Sequence, residues 1–292
     1  MARWGVERGA QRGARVRRFA HLSAASLRAC LTDGAAGLRP VVVTDGFCPG
    51  CGRAAPLAEY RALVAPLGGL VVVDDTQALG VLGTSPSAGR PYGVGGGGTL
   101  RWTGAAAGGV LVVASLAKAF GAPVAALLGD GDEVARFEAA SETRVHCSPP
   151  SAAAVQAAAS ALAINAQQGD ALRERLSGLV RRFRARVITP RVELRGGVFP
   201  IQSAVLAARG DESAAERGRA AQTALRRGGT AAVLQRGHGD GATRLTFLIT
   251  ATHHAVEVDR AAWDLAGALG APGAAGRVPE AQAYDAHTAA HA

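Results

Sequence analysis

Three continuous β-branched runs constrain this chain more than any other feature: residues 41–45 (VVVTD), 70–74 (LVVVD) and 110–114 (VLVVA). Runs without apolar/polar alternation suit strands buried on both faces of a largely parallel sheet. Each follows a turn signal, Pro40, Gly68-Gly69 and Gly108-Gly109 in order. Between the first two, residues 56–66 (PLAEYRALVAP) set Leu57, Tyr60, Leu63 and Val64 at helical spacing behind a leading proline. Strand, helix and strand within about 30 residues make a βαβ unit with a right-handed crossover. Residues 124–128 predict a further strand and residues 133–140 a further helix. The expected fold class is α/β, built on a mostly parallel sheet.

Beyond Pro149-Pro150 the texture changes. Helices are predicted at 151–164, 170–186, 213–226 and 256–269, with Gly169-Asp170 opening the second of them. Short strands are predicted at 192–194, 204–207, 231–234 and 244–250. These give a smaller α+β C-terminal domain over residues 169–270, following a large domain over 1–168, with a hinge around 165–190. Residues 271–292 lack any period and read as a frayed tail. The Gly-rich stretch 85–109 is long enough to be a loop beside a site.

Composition removes several function classes. With 48% hydrophobic and 19% charged residues over 292 positions, the chain is too apolar for intrinsic disorder. No apolar run reaches the roughly 18 residues of a membrane span, and no signal-peptide core follows the basic start. Four unevenly spaced cysteines do not form a disulfide framework, so a cytoplasmic protein is expected. The net charge of +9 comes from scattered arginines rather than a basic stripe interleaved with aromatics, so neither nucleic acid nor membrane is an expected partner. Among 32 basic residues only Lys118 is a lysine. In a chain that writes arginine elsewhere, one position keeps the amine that can lose its proton.

Ligands of open α/β sheets bind at the carboxyl ends of strands. Asp45, Asp74 and the segment 115–118 all directly follow predicted strands, which brings an acid and the only amine to one rim. Pyridoxal phosphate (PLP) needs such a pair, a lysine to carry it and a carboxylate to keep its pyridine nitrogen protonated. Asp75 is expected on the opposite face as a cap or turn residue. Cys48-Pro49-Gly50-Cys51 is read as a turn carrying two thiols, because Cys30 and Cys147 supply no matching zinc spacing. His253-His254 is read as a helix entry.

The motifs VVTDG (42–46) with APL (55–57), LVVVDDTQALGVLG (70–83) and SLAKAFG (115–121) occur in order. Together they resemble the fold-type I PLP enzymes, and more narrowly the α-oxoamine synthases, over residues 4–269. The resemblance implies that Lys118 is the catalytic lysine bearing PLP, Asp74 the pyridine-nitrogen carboxylate and Ser115 a cofactor contact. Gln77 stands where that family usually has a histidine at the ring; it can hydrogen-bond but cannot supply an imidazole. Ser148 or His146 would take the place of a residue reaching a neighbouring subunit's phosphate. Arg236 or Arg244 would hold the substrate carboxylate, a role suited to a bidentate guanidinium. Residues 47–52 replace the family's F-S-M-D-G stretch. Roughly the first quarter of the family's length, with its phosphate-binding loop, is expected to be missing from this chain.

The implied reaction condenses an amino acid with an acyl-CoA or acyl-carrier thioester in a homodimer. Aminotransferase chemistry, and a non-catalytic relative kept for binding or dimerisation, remain open alternatives.

Overall fold

The computed structural model describes residues 2–32, 37–145, 147–187, 192–237 and 241–270. The expected tail at 271–292 and His146 lie outside the described residues. The chain begins with α1 (Ala2–Gln11) and α2 (Ala24–Thr32), followed by β1 (Val41–Asp45) and two short strands, β2 (Phe47–Cys48) and β3 (Arg53–Ala54). Next come α3 (Leu57–Val64), β4 (Leu70–Asp74), α4 (Gly98–Thr103), β5 (Val110–Ser115), β6 (Ala125–Leu128) and α5 (Gly131–Ala140). The remainder comprises α6 (Ala152–Arg186), β7 (Glu193–Arg195), β8 (Ile201–Leu206), α7 (Ala214–Arg227), β9 (Val233–Arg236), β10 (Thr243–Leu248) and α8 (Ala255–Ala268).

The first sheet has the order β1-β4-β5-β6. Its three β-branched strands are parallel, with Val43 opposite Val72 and Val72 opposite Leu111. The α/β class with a mostly parallel sheet therefore holds. Strand β6 runs antiparallel to β5, pairing Ser115 with Ala125. The segment between them is a short turn, and a parallel return would need a crossover of a dozen or more residues. The expectation of two buried faces is corrected. Val42, Val71, Val73, Val110 and Val112 bury against Leu57, Tyr60 and Val64 of α3, whereas Val41, Val43 and Val113 on the other face are exposed. Each large side chain fully buried on the covered face contributes about 1.5–3 kcal/mol, which fixes α3 to that side.

The second sheet, β7-β8-β10-β9, is antiparallel throughout and packs on α6, α7 and α8, as an α+β unit. Its core holds Leu179, Val180, Phe183, Leu225, Leu245 and Leu265. Ala78, Leu82 and Tyr92 from the loop after β4 enter the same core. Phe47 stacks on Phe199 with ring centroids 4.3 Å apart, and the Tyr92 hydroxyl donates to the Val198 carbonyl at 2.5 Å. The two units thus share buried surface.

The two helices expected at 151–164 and 170–186 are one helix, α6, which runs through Gly169. The hinge expected around 165–190 falls largely within it, and the 168/169 division lies inside it. Gly169 is buried, and a Cβ there would meet the Asn165 side chain and come within 2.8 Å of Arg173 Nη2. The glycine makes room for an Arg173–Asn165 hydrogen bond of 2.7 Å, whose packing outweighs the roughly 1 kcal/mol that glycine costs a helix. Helix α6 is joined to α8 by a bidentate pair, Arg182 donating to both Asp259 oxygens at 2.7 and 2.6 Å. The stretch 85–109, expected as a loop, contains α4. His254 caps α8 in a capping box with Glu257, as a helix-entry residue should. Among the described residues, no helix is long and apolar enough to cross a membrane.

Candidate active site

Parallel pairing places Asp45 directly opposite Asp74 at the carboxyl ends of β1 and β4. A ladder of hydrogen bonds continues along this rim. The Thr76 amide donates to Asp74 Oδ1 at 3.1 Å, and the Ser115 amide donates to Thr76 Oγ1 at 3.1 Å. The Ala117 amide donates to Ser115 Oγ at 3.3 Å. The turn that carries Lys118 is thereby tied through Ser115 and Thr76 to the Asp74 carboxylate. Leu116 anchors it from below, buried, with its amide bonded to the Val124 carbonyl at 2.8 Å. Lys118 itself is exposed. Thr76 was not singled out from the sequence; its signal was its position directly after the Asp-Asp pair at a strand end.

Lys118 and Gln77 line a cleft of about 1140 Å³ with Phe120, Asn165, Arg173 and Thr246. One wall is α6 and another is the edge of the second sheet. Gly80 closes the Lys118 side. At φ 85° it occupies the left-handed region, and a Cβ would lie 2.5 Å from Ala119 Cβ and 3.1 Å from the Phe120 ring. Arg173 grips this corner from α6, donating to the Gly80 carbonyl at 3.0 Å and to Asp170 at 2.6 Å. Asp170 accepts from the Gly95 amide and Asn165 donates to the Gly95 carbonyl, so the 76–97 loop is clamped to the helix.

Asp75 faces away from this rim, as expected, and its carbonyl accepts from Ala78 and Leu79 to start the turn. It is buried and bonded to Thr99 on α4. Burial pushes its carboxyl up to about 6, against the opposing effect of the Thr99 bonds and with a smaller push from Asp74. Thr99 lay inside the stretch read as a loop, so this pairing was not visible in the sequence.

The other expected site residues are more dispersed. Asp74 and Ser115 stand on the strand-end rim but are not among the cleft's lining residues. Ser148 is exposed just before Pro149-Pro150. Arg236 donates to the Gly241 carbonyl at 3.3 Å, and the buried Arg244 points Nη1 at the Gly50 carbonyl, 3.4 Å away. Neither arginine lines the Lys118 cleft, whereas Arg173, Arg226 and Arg260 do.

A parallel sheet presenting the Lys118 amine beside the Asp45 and Asp74 carboxylates at its strand ends belongs to the open α/β proteins that bind ligands there. The narrower assignment follows from comparison: residues 10–262 match the model of the family described as aminotransferase class I and II, and the chain belongs to that family. It is 33% identical over 196 residues to 8-amino-7-oxononanoate synthase of Alkalilimnicola ehrlichii, covering 66% of this chain and 47% of that protein. It is 31% identical over 258 residues to 8-amino-7-oxononanoate synthase of Thioalkalivibrio sulfidiphilus, covering 87% of this chain and 62% of that one. A serine palmitoyltransferase from S. paucimobilis, solved with bound PLP-myriocin, has the same fold. Its TM-score is 0.73 at 20% identity, over 87% of this chain and 61% of that chain. The chain therefore spans about half to three-fifths of the length of these relatives.

Proposed function

We propose that this chain carries out the chemistry of an α-oxoamine synthase, using PLP to join an amino acid to an acyl thioester. The observation that carries the reading is the hydrogen-bonded ladder from Asp74 to the Lys118 turn. The 8-amino-7-oxononanoate synthases to which it is similar support the same reading. The donor set suits the cofactor: one accessible amine in a cleft, the Asp74 carboxylate on the strand-end rim beside Asp45, and an amide and a hydroxyl between Asp74 and the lysine turn.

When bound, PLP supplies an electron sink for charge developing at the amino acid's α-carbon. Lys118 Nζ would hold the cofactor and is the group that would move the proton at that carbon, which an arginine could not do. The Asp74 carboxylate holds a proton on the pyridine nitrogen by Coulomb attraction. Ser115 Oγ already accepts from the Ala117 amide, which leaves its own hydrogen to donate. Gln77 offers an amide hydrogen bond at the cleft and no acid–base function. The family resemblance assigns the substrate carboxylate to Arg236 or Arg244, which would have to turn from the Gly241 and Gly50 carbonyls to reach the cleft, and assigns Ser148 to a second copy.

The protein works in the cytoplasm as a homodimer. The exposed Val41, Val43 and Val113 give the first sheet an apolar face for a second copy to cover. The test is the visible absorption of the chain with added PLP beside Lys118→Ala, followed by thioester consumption with a panel of amino acids. A lysine-dependent absorption band with thioester loss supports condensation. Keto-acid formation without thioester loss replaces it with aminotransferase chemistry, and no lysine-dependent band removes both.

A further inference from the structure

Outside the rim and the cleft, three metal-ligating side chains converge on the turn that was read as two plain thiols. Cys48 ends β2, Cys51 lies in the turn before β3, and His21 comes from the segment between α1 and α2. One ligand atom from each falls within a cluster no more than 4.8 Å across. Cys51 Sγ and His21 Nε2 are 3.6 Å apart. A tetrahedral zinc with bonds of about 2.3 Å to sulfur and about 2.0 Å to nitrogen sets those two atoms roughly 3.5 Å apart. The cysteines are half-buried and His21 is exposed, so an ion can enter and a fourth ligand can come from solvent.

We propose that Cys48, Cys51 and His21 form a binding site for a thiophilic divalent cation, zinc in the first instance, with water as the fourth ligand. The sequence concealed it because the third ligand is an imidazole 27 positions before Cys48 rather than a second cysteine pair. Two thiolates with an imidazole are a soft set that selects zinc over magnesium or calcium. Both thiols are free in the structure. A thiol ligates zinc as its thiolate, so the ion must displace protons on binding and binding weakens as pH falls.

The consequence is structural. His21 is followed by Leu22, whose backbone is left-handed at φ 55° and whose side chain packs against the first core. The hairpin bearing the cysteines is seated on the second unit through Phe47 on Phe199 and the Gly50 carbonyl on Arg244. A bound ion would link the N-terminal segment to that hairpin, acting as a staple built from residues that do not line the Lys118 cleft. Because a ligand that binds only the folded state stabilises it by mass action, the staple raises the unfolding temperature.

The experiment titrates the reduced full chain, in a Cys30→Ser/Cys147→Ser background, with zinc alone and then cobalt alone, without PLP. Expected are one ion per chain, thiolate-to-cobalt charge-transfer absorption, and a rise in unfolding temperature on zinc addition. Cys48→Ser and Cys51→Ser should each weaken binding by about a hundredfold or more, beyond the 10- to 100-fold cost of losing an outer-shell partner. Should a cysteine variant fail to fold, His21→Ala, at an exposed position, keeps the test open. Zinc affinity unchanged in His21→Ala overturns the proposal. So does a reduced chain that takes up no ion while reoxidation joins Cys48 to Cys51. Neither result bears on PLP binding, which has its own lysine-dependent signal.

Discussion

Thr99 holds Asp75 at both carboxylate oxygens, its amide 2.8 Å from Oδ2 and its hydroxyl 2.6 Å from Oδ1. The pair ties α4 to the end of β4, one residue beyond the Asp74 that faces the site. Because the folded carboxyl is raised from 3.8 to about 6, its protonated form is the one that folding favours. The contribution is therefore fully present below about pH 4 and is lost as pH rises through about 6. The shift corresponds to on the order of 3 kcal/mol. Asp75→Asn should flatten the stability profile between pH 4 and 7, measured by urea unfolding. Thr99→Val should cost about 2 kcal/mol above pH 7, where the hydroxyl bonds a charge, and less below pH 5. An equal cost at both pH values would show that the hydroxyl does not bond an ionising group.

Thr76 bridges two strands with two different atoms, so its variants separate their roles. Thr76→Val keeps the amide that bonds Asp74 and removes the oxygen that accepts from Ser115. Losing one neutral hydrogen bond here should weaken PLP uptake about three- to tenfold, with global stability changed by less than about 1.5 kcal/mol. Thr76→Ser restores the acceptor and should return uptake to near the parent value. The readout is the PLP-dependent absorption as a function of cofactor concentration; equal behaviour of the Val and Ser variants would rule out the bridge.

Most of the first sheet was legible because β-branched runs, turn residues and a helical period agree across residues 40–74. The strand-end rule then placed Asp74, Ser115 and Lys118 on one rim without further information. Three features escaped for physical reasons. Gly169 carries the propensity of a helix breaker, and only the Asn165–Arg173 contact beside it shows why the helix continues. The exposed face of the first sheet has the same valine-rich sequence as the buried face, so strand composition could not tell them apart. His21 and Thr99 act on partners far along the chain, and no local spacing announces either.

Gly80 offers a direct test of how the Lys118 turn is positioned. Alanine there must adopt φ 85° and place its Cβ 2.5 Å from Ala119 Cβ. Strain at one such position costs roughly 1–3 kcal/mol, and relief requires the Lys118 turn to move. Gly80→Ala should slow the lysine-dependent PLP signal more than it lowers the unfolding midpoint. Adding Ala119→Gly removes the touching methyl and should recover part of the signal. If the double variant is no better than the single one, backbone strain alone accounts for the loss.

Arg173 is the hinge-pin of the cleft wall. It is 5% exposed and donates to the Gly80 carbonyl, Asn165 Oδ1 and Asp170 Oδ1. Its fork reaches the glycine turn and the helix together, which a lysine's point charge cannot do. Arg173→Ala should cost roughly 3 kcal/mol, because the Gly80 and Asn165 oxygens lose their donor in a part-buried corner. Arg173→Lys should recover less than half of that. The Asp170 carboxyl sits below its usual range chiefly because of the Arg173 hydrogen bond, but its side chain is 53% exposed and solvent screens the pair. Asp170→Asn should accordingly cost under about 1 kcal/mol. Urea unfolding of the three variants orders these terms. A cost for Asp170→Asn equal to that of Arg173→Ala would move the energy from the Gly80 clamp to the ion pair, and the wall would then be held by charge rather than by the fork.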